Sequence, residues 1–296
     1  MFQIIKKNQA VMQESLADKI KAAKSALQTA DAIVIGAGAG LSDAGGIRYS
    51  SSRFTDNFPD FIQKYGMTDM YTAGFYPFQT QEEKWAYWAR HIHLNRYAAP
   101  VGGVYTQLLE LVRDQPHFVI TTNVDAQFYR AGFDQTHIWA VQGDYGKLQC
   151  KRGCHDRLYD NQELVQTMLE QTKDCKIPSG LVPKCPVCGG GMEVNIRKDM
   201  YFVQDAQWYG EAGRYETFLN RVQGQKVVFL ELGVGYNTPT IIRLPFEQMT
   251  AAFPNATLVR VNLSYPDVPS KLKSKSICIQ ENIAEVISDI RSEFGF

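Results

Sequence analysis

Four cysteines in two close pairs carry the most specific chemistry in this chain. Cys150 and Cys154 are separated by three residues, Cys185 and Cys188 by two, and thirty residues lie between the pairs. Gly153 beside the first pair, and Pro186, Gly189, Gly190 and Gly191 around the second, place each on a tight turn. Four thiolates presented this way can close a tetrahedral zinc site. Four protein ligands leave no open coordination position, so such an ion would hold a small module together rather than catalyse. Cys175 and Cys278 are left over and read as ordinary thiols.

A second group of residues suggests a nucleotide. The apolar stretch Ala32–Ile35 reads as a buried strand and runs into a segment with five glycines in eleven residues, Gly36 to Gly46. Glycines there let the backbone turn tightly and bring N–H groups against a phosphate. The dinucleotide fingerprint G-x-G-x-x-G is absent, because its third position falls on Leu41 or Asp43. Asp56, the acidic residue about twenty positions on, does not end a strand either. The loop alone therefore leaves nucleotide binding and a plain strand-to-helix turn equally open. Further on, Phe118–Thr121 reads as a strand that delivers Thr122-Asn123-Val124-Asp125 at its carboxyl end, where an open parallel sheet places its ligand chemistry.

These residues need a scaffold, and the pattern supplies an α/β one: a doubly wound parallel, Rossmann-like sheet with a small inserted zinc-ribbon module and a helical module. Leu16, Ile20, Ala23 and Leu27 form one face of a helix over residues 13–29. Tyr105, Leu108, Leu109 and Val112 mark another. Further strands are expected near Ile138–Ala140, at Val227–Leu232, at Thr257–Val261 and at Ser276–Ile279. Ile283, Val286, Ile287 and Ile290 give the last helix its inner face. The division this implies is a Rossmann-like domain over residues 1–144 and 206–296, with a helical, cofactor-loop insert at 51–100, and a zinc module at 145–205. The 51–100 segment has no strand pattern and is dense in aromatics, from Phe54 to Trp88. They read as helical packing, with an aromatic lid over 48–58 as the lesser alternative. His91 and His93 read as surface or structural residues rather than ligands.

The 296 residues have a formal net charge of zero, 45% hydrophobic and 21% charged content. That is an ordinary globular composition with no electrostatic case for nucleic acid or a membrane surface. No apolar run approaches membrane-spanning length. The stretch Met1–Lys7 lacks a signal-peptide core, so a cytoplasmic location is expected.

Several motifs together resemble the sirtuins, a family of NAD-dependent enzymes. Gly38-Ala39-Gly40-Leu41-Ser42-Asp43-Ala44-Gly45-Gly46-Ile47 is similar to the family's Gly-Ala-Gly-x-Ser motif. Thr121-Thr122-Asn123-Val124-Asp125, followed by Ala131-Gly132, resembles its Thr-Gln-Asn-Ile-Asp motif. The cysteine pairs match its zinc ligands, Gly233-Val234-Gly235 its Gly-Thr-Ser turn, and Val261-Asn262 its strand-ending Ile-Asn. The resemblance implies NAD as co-substrate and structural zinc on Cys150, Cys154, Cys185 and Cys188. It implies that Gly38, Ala39 and Gly40 hold the pyrophosphate through backbone N–H groups, with Ser42, Asp43 and Ile47 beside them; Arg48, directly after the loop, is added on its chemistry alone. Gly233, Val234, Gly235, Asn262 and Leu263 fall towards the adenosine half. Asn123 would position the ribose or a water, and Asp125 the nicotinamide carboxamide. Arg48 could pair with phosphate or with an acidic group of an acceptor, or lie free at the surface. Asp43 could serve the cofactor or cap a following helix.

The departures point to one branch. Where the family has Pro-x-Phe-Arg after Gly-Ile, this chain has Arg48-Tyr49-Ser50-Ser51. The catalytic His-Gly falls on Gln142-Gly143, and the Phe-Gly-Glu acyl-peptide segment is not recognisable in Tyr201-Phe202-Val203-Gln204. This set resembles the class M, macrodomain-linked microbial sirtuins. That branch implies ADP-ribosylation of a lipoylated glycine-cleavage H-like carrier protein and a macrodomain partner that reverses the mark. The chemistry agrees: the family's histidine acts as a base in deacylation, whereas glutamine has no titratable group near neutral pH. Losing a positioned base lowers a rate about a hundred- to ten-thousandfold, while nicotinamide departure need not suffer. Asn123, Gln142 and Asp125 are thus the expected catalytic set for an NAD-dependent protein ADP-ribosyltransferase. A deacylase of unusual acyl preference is a second reading, requiring Asp144 or His137 as substitute base. A non-enzymatic NAD or ADP-ribose sensor is a third.

Overall fold

The computed structural model describes residues 14–292; the Met1–Lys7 stretch lies outside them. Nine strands follow one another among the described residues: β1 (Ala32–Ala37), β2 (His117–Thr121), β3 (Ile138–Ala140), β4 (Gly143–Cys150), β5 (Tyr159–Asp160), β6 (Met192–Ile196), β7 (Val227–Leu232), β8 (Thr257–Val261) and β9 (Ser276–Ile279). Six form one sheet in the order β3-β2-β1-β7-β8-β9. Every neighbouring pair in it is parallel. The central strands β1 and β7 are buried along their whole length, which is why β1 reads as a continuous apolar run and β7 as one broken only by Glu231, which is paired with Arg243 and Arg260. The chain leaves β1 towards β2 and later returns to lay β7 on the other side. The crevice outside the carboxyl ends of β1 and β7 is therefore the topological switch point where such sheets bind ligands.

Helices cover both faces of the large sheet. One face packs Ile20, Ala23 and Leu27 of the helix Leu16–Gln28 with Leu108, Val112, Val286 and Ile290. Ser15 and Asp18 start that helix with a reciprocal capping box. Leu16, expected on its inner face, is 43% exposed; as the first helical residue it lies a turn before the packed region begins at Ile20. The opposite face packs Phe218 and Val222 of Ala206–Val222, and Phe246 of Arg243–Ala252, against Phe118, Phe229 and Leu258.

The remaining strands form a three-stranded antiparallel sheet, β5-β4-β6. It shares one apolar core with the helical segment. Phe54, Phe58, Phe61, Trp85 and Tyr87 pack in the same cluster as Leu148, Val165, Met168, Met192 and Val194. A segment of either size buries too little surface alone, and pooling their apolar faces solves this. Phe54, Phe58, Phe61, Trp85 and Tyr87 are packing residues, with Phe54 and Phe58 stacked at a centroid distance of 5.3 Å. Among the described residues no helix is long and apolar enough to cross a membrane.

Candidate functional site

Two glycine turns meet at the switch point. Gly38 N–H donates to Leu232 O at 3.0 Å, and Gly40 N–H to Gly233 O at 3.0 Å. A Cβ on Gly38 would lie 2.7 Å from Gly233 O, and one on Gly233 would lie 2.5 Å from Gly40 Cα. Gly233 also sits at φ +63°. The glycines are thus required by the approach of two backbones to each other. The N–H groups of Gly38 and Gly40, both expected on the pyrophosphate, are already committed to Leu232 and Gly233, which corrects that expectation. Ala39 stands exposed on the cleft side at the start of the short helix Ala39–Ala44, where backbone N–H groups favour an anion.

Beyond this contact opens a cleft of about 660 Å³, the size of a small-molecule site. Of the expected residues, Gly38, Ala39, Ser42, Asp43, Ile47, Asn123, Asp125, Gln142, Val234 and Gly235 line it. Gly40, Arg48, Gly233, Asn262 and Leu263 do not. Asn262 acts one step back: Nδ2 donates to Val234 O at 2.9 Å, while Oδ1 accepts the N–H groups of Ser264 and Tyr265 at 3.0 Å. It thereby ties together two loops that line the cleft. Leu263 is 57% exposed and points away from this role. Arg48 pairs with Asp43 at 3.4 Å, both more than half exposed. Asp43 lies within the short helix and caps nothing after it.

Asn123 and Asp125 are fixed by the end of β2. Asn123 N–H donates to Thr121 Oγ1 at 3.0 Å and its Nδ2 to Gly38 O at 2.9 Å, locking the β2 turn to the glycine turn. Asp125 is buried; it accepts from Ser42 Oγ and from Gln127 N–H, the latter at 3.0 Å. Burial raises its pKa and the Ser42 bond opposes the rise. Tyr105 lies 3.2 Å from Ser42 Oγ and completes a buried chain behind the carboxylate.

Gln142 occupies the crossing from β3 to β4. Its carbonyl accepts Arg197 N–H at 3.0 Å, and the preceding carbonyl, Val141 O, accepts Trp208 Nε1–H at 3.1 Å. The next residue must be glycine: Gly143 sits at φ +96°, and a Cβ there would lie 2.0 Å from Asn195 O. With its backbone pinned, the Gln142 side chain reaches across the cleft and Nε2 donates to Thr238 Oγ1 at 3.2 Å. Neither substitute base lines the cleft. Asp144 is held by Arg96 at 2.7 Å, and His137 pairs with Asp134 at 3.0 Å.

Several lining residues escape sequence reading. Tyr49, Trp88, His91 and Tyr145 form an aromatic end, with Tyr49 and Tyr145 hydroxyls 2.8 Å apart. Arg197, Lys198, Tyr236, Thr238 and Tyr265 also line the cleft. Only Tyr49 carried a signal, as part of the unusual Arg48–Ser51 run. His91, read as surface or structural, is buried to 1% and contacts the cleft.

The four cysteines converge as their spacing requires. All four Sγ atoms lie within 4.8 Å of one another, with Cys150–Cys188 and Cys154–Cys185 both at 3.7 Å. A zinc ion about 2.3 Å from each sulfur of a tetrahedron separates them by about 3.8 Å, so the cluster fits structural zinc. The Gly190 N–H and Arg152 pull the Cys188 thiol down to about 6, towards the thiolate a metal needs. Cys175 stays apart, its thiol pushed up by burial to about 11.

Comparison with known proteins agrees with this architecture. The Sir2 family model matches residues 38–235. A "Protein ADP-ribosyltransferase" of Staphylococcus aureus (strain Mu50 / ATCC 700699) is 40% identical over 266 residues, 90% of this chain and 84% of that protein. A "Probable bifunctional ADP-ribose hydrolase/ADP-ribosyltransferase" of Fusarium oxysporum f. sp. cubense is 33% identical over 283 residues; the match spans 90% of this chain and 46% of that protein. Among solved structures, Sir2Tm bound to a propionylated peptide superposes with a TM-score of 0.60 at 18% identity, covering 94% of this chain and 99% of that one. A mutant Sir2 homologue in complex with ADP-ribose gives 0.57 at 14% identity, with 93% and 98% covered. This chain is therefore a member of the Sir2 family, whose co-substrate is NAD.

Proposed function

We propose that this protein is an NAD-dependent protein ADP-ribosyltransferase that releases nicotinamide and passes ADP-ribose to an acceptor protein. The observation that carries the reading is Gln142: it stands in the cleft where the family's deacylation base is expected, and neither Asp144 nor His137 lines that cleft. Bound NAD supplies a glycosidic bond to nicotinamide that is already activated by a positive ring. The chain's own residues bind and orient. With NAD bound, Ala39 would face the pyrophosphate at a helix start, Asn123 would meet the ribose, and the buried Asp125 would meet the carboxamide. Gln142 can orient a ribose hydroxyl through its amide but cannot take its proton. A deacylation cycle stalls at that point, whereas capture by an acceptor nucleophile that loses its own proton does not require it. The names of the Staphylococcus and Fusarium relatives support the same reading.

The acceptor in this reading is a lipoylated glycine-cleavage H-like carrier in the cytoplasm, and a macrodomain protein removes the mark. The Arg197 side chain in the cleft lining suits an acidic acceptor surface, whereas Lys198 is held by Glu193 at 2.6 Å. The test is incubation with NAD labelled in the adenylate and with carrier in lipoylated and unlipoylated forms. Label should move onto the carrier protein. Label found only in small molecules, or as free O-acyl-ADP-ribose, counts against the proposal.

A further inference from the structure

The aromatic end of the cleft contains one buried polar atom without a partner, and its protonation can be worked out. Tyr87 Oη–H donates to Met70 O at 2.8 Å, which uses its single proton. The His91 Nδ1 contact to that same oxygen, at 3.1 Å, must then be an Nδ1–H donating to Tyr87. His91 is neutral at ordinary pH, since burial and the nearby Arg53 guanidinium hold it down at about 3. Its Nε2 is therefore a bare lone pair. That atom is buried and has no hydrogen-bond partner among the described residues. A buried acceptor left unmatched is destabilising unless something arrives to fill it.

The surroundings define what could arrive. His91 lines the cleft together with Tyr49, Trp88 and Tyr145, whose ring centroids lie 5.6, 5.1 and 5.0 Å from its own. Met70, Tyr71 and Phe75 extend the same apolar wall. The ligand group must be a donor, because Nε2 only accepts. It must carry an apolar or aromatic body. A cation is disfavoured by Arg53, whose guanidinium is fixed by Asn95 Oδ1 at 2.7 Å and Leu94 O at 2.8 Å. A carboxylate has no proton to give.

We propose that His91 is a specificity residue whose Nε2 accepts a hydrogen bond from a neutral carboxamide N–H entering the aromatic end of the cleft. This rests on the ADP-ribosyl-transfer reading above, which supplies that chemistry from two sources: nicotinamide itself, and the amide bond of an acylated lysine on the acceptor. One hydrogen bond of this kind changes affinity about five- to tenfold.

The sources separate by titration. The ¹⁵N-imidazole spectrum of the wild-type protein is recorded with nicotinamide and, separately, with Nε-octanoyl-lysine amide; His91 is assigned by its absence in H91Q. The probe that fills the site should move the Nε2 resonance upfield. In kinetics, H91F should raise the nicotinamide inhibition constant five- to tenfold if nicotinamide is the source. It should raise KM for the acylated acceptor by that factor, with kcat little changed, if the acceptor is. H91Q, which retains an acceptor oxygen, should stay within about threefold of wild type. A wild-type Nε2 resonance unmoved by both probes, or a folded H91F enzyme with both constants within twofold of wild type, overturns the assignment. The resonance needs no turnover, so an absence of label transfer would sink the proposed activity and leave this test standing.

Discussion

The floor of the cleft and its wall are built by opposite means. At the floor, Gly38, Gly40 and Gly233 interlock backbone to backbone, and Asn123 and Asp125 each spend their side-chain groups on fixed partners. At the wall, Gln142 has a pinned backbone and a side chain that makes a single bond, to an exposed threonine. The floor is over-determined and would serve any reaction that begins with NAD bound in this cleft. The wall is under-determined, so changing one side chain there changes the chemistry without disturbing the fold. Binding and reaction type are thus separately encoded in one cleft.

That contrast can be broken from the outside inwards. The largest effect should follow removal of zinc. Structural zinc in small modules supplies about 10 kcal/mol or more of apparent folding free energy, and the core beside it includes Phe54, Trp85 and Tyr87. Chelation should therefore loosen the helical segment as well as the module; near-UV circular dichroism of these aromatics, alongside zinc content, checks it. An unchanged aromatic signal after zinc loss would separate the two. Next comes the turn behind Gln142. Gly143→Ala, forced to φ +96° and into Asn195 O, should destabilise by roughly 3 kcal/mol or more. Gly103→Ala, with open space at its Cβ in a helix, should be neutral or raise stability by up to about 1 kcal/mol. Thermal melts of the pair decide whether the wall's backbone is as fixed as the contacts imply.

Asn123→Ala should lower transfer by about a hundredfold, since a ribose-facing group and the brace on Gly38 are lost together. Gln142→His sharpens the comparison further. With glutamine, the turnover rate should owe no pH dependence between about 6 and 8 to this position; with histidine, a rise centred near 6.5 should appear along with O-acyl-ADP-ribose formation. If the variant titrates but forms no such product, the base is not what the wild-type site lacks. The smallest effect is expected at the rim. The Arg48–Asp43 pair is exposed on both sides, so Arg48→Ala should change stability by under about 1 kcal/mol and turnover by less than threefold.

His91 adds a pH signature of its own. Its folded pKa, about 3, lies below the unfolded value of about 6.5. The unfolded chain therefore binds the extra proton first as pH falls. The stability associated with a neutral His91 is fully present above 6.5 and is lost towards 3, at up to about 1.4 kcal/mol per pH unit. Urea titrations of wild type and H91F across that window should differ in slope accordingly.

Legibility in the sequence followed the range of the interactions involved. Strands β1, β2, β7 and β8 were readable because a doubly covered parallel strand is mostly apolar, a property of a few adjacent residues; the buried exceptions, Glu231 of β7 and Arg260 of β8, pair with each other. The cysteine cluster was readable because ligand spacing is itself local. The aromatic end was not. Tyr49, Trp88, His91 and Tyr145 come from three separate segments, and nothing near His91 in sequence distinguishes it from an ordinary helical histidine. The same limit explains the glycines: their number suggested a phosphate loop, whereas Gly40 and Gly233 are small because each faces the other.

By itself, then, the chain's sequence determined its family, its zinc ligands and the absence of an ionisable group at position 142, since each of these is a matter of residue type and order. Tertiary structure alone decided which of the expected residues touch the cleft, that Asp144 and His137 are spoken for elsewhere, and that His91 is buried with a vacant lone pair. Those are consequences of packing between distant segments, and packing, unlike residue type, cannot be read one stretch at a time.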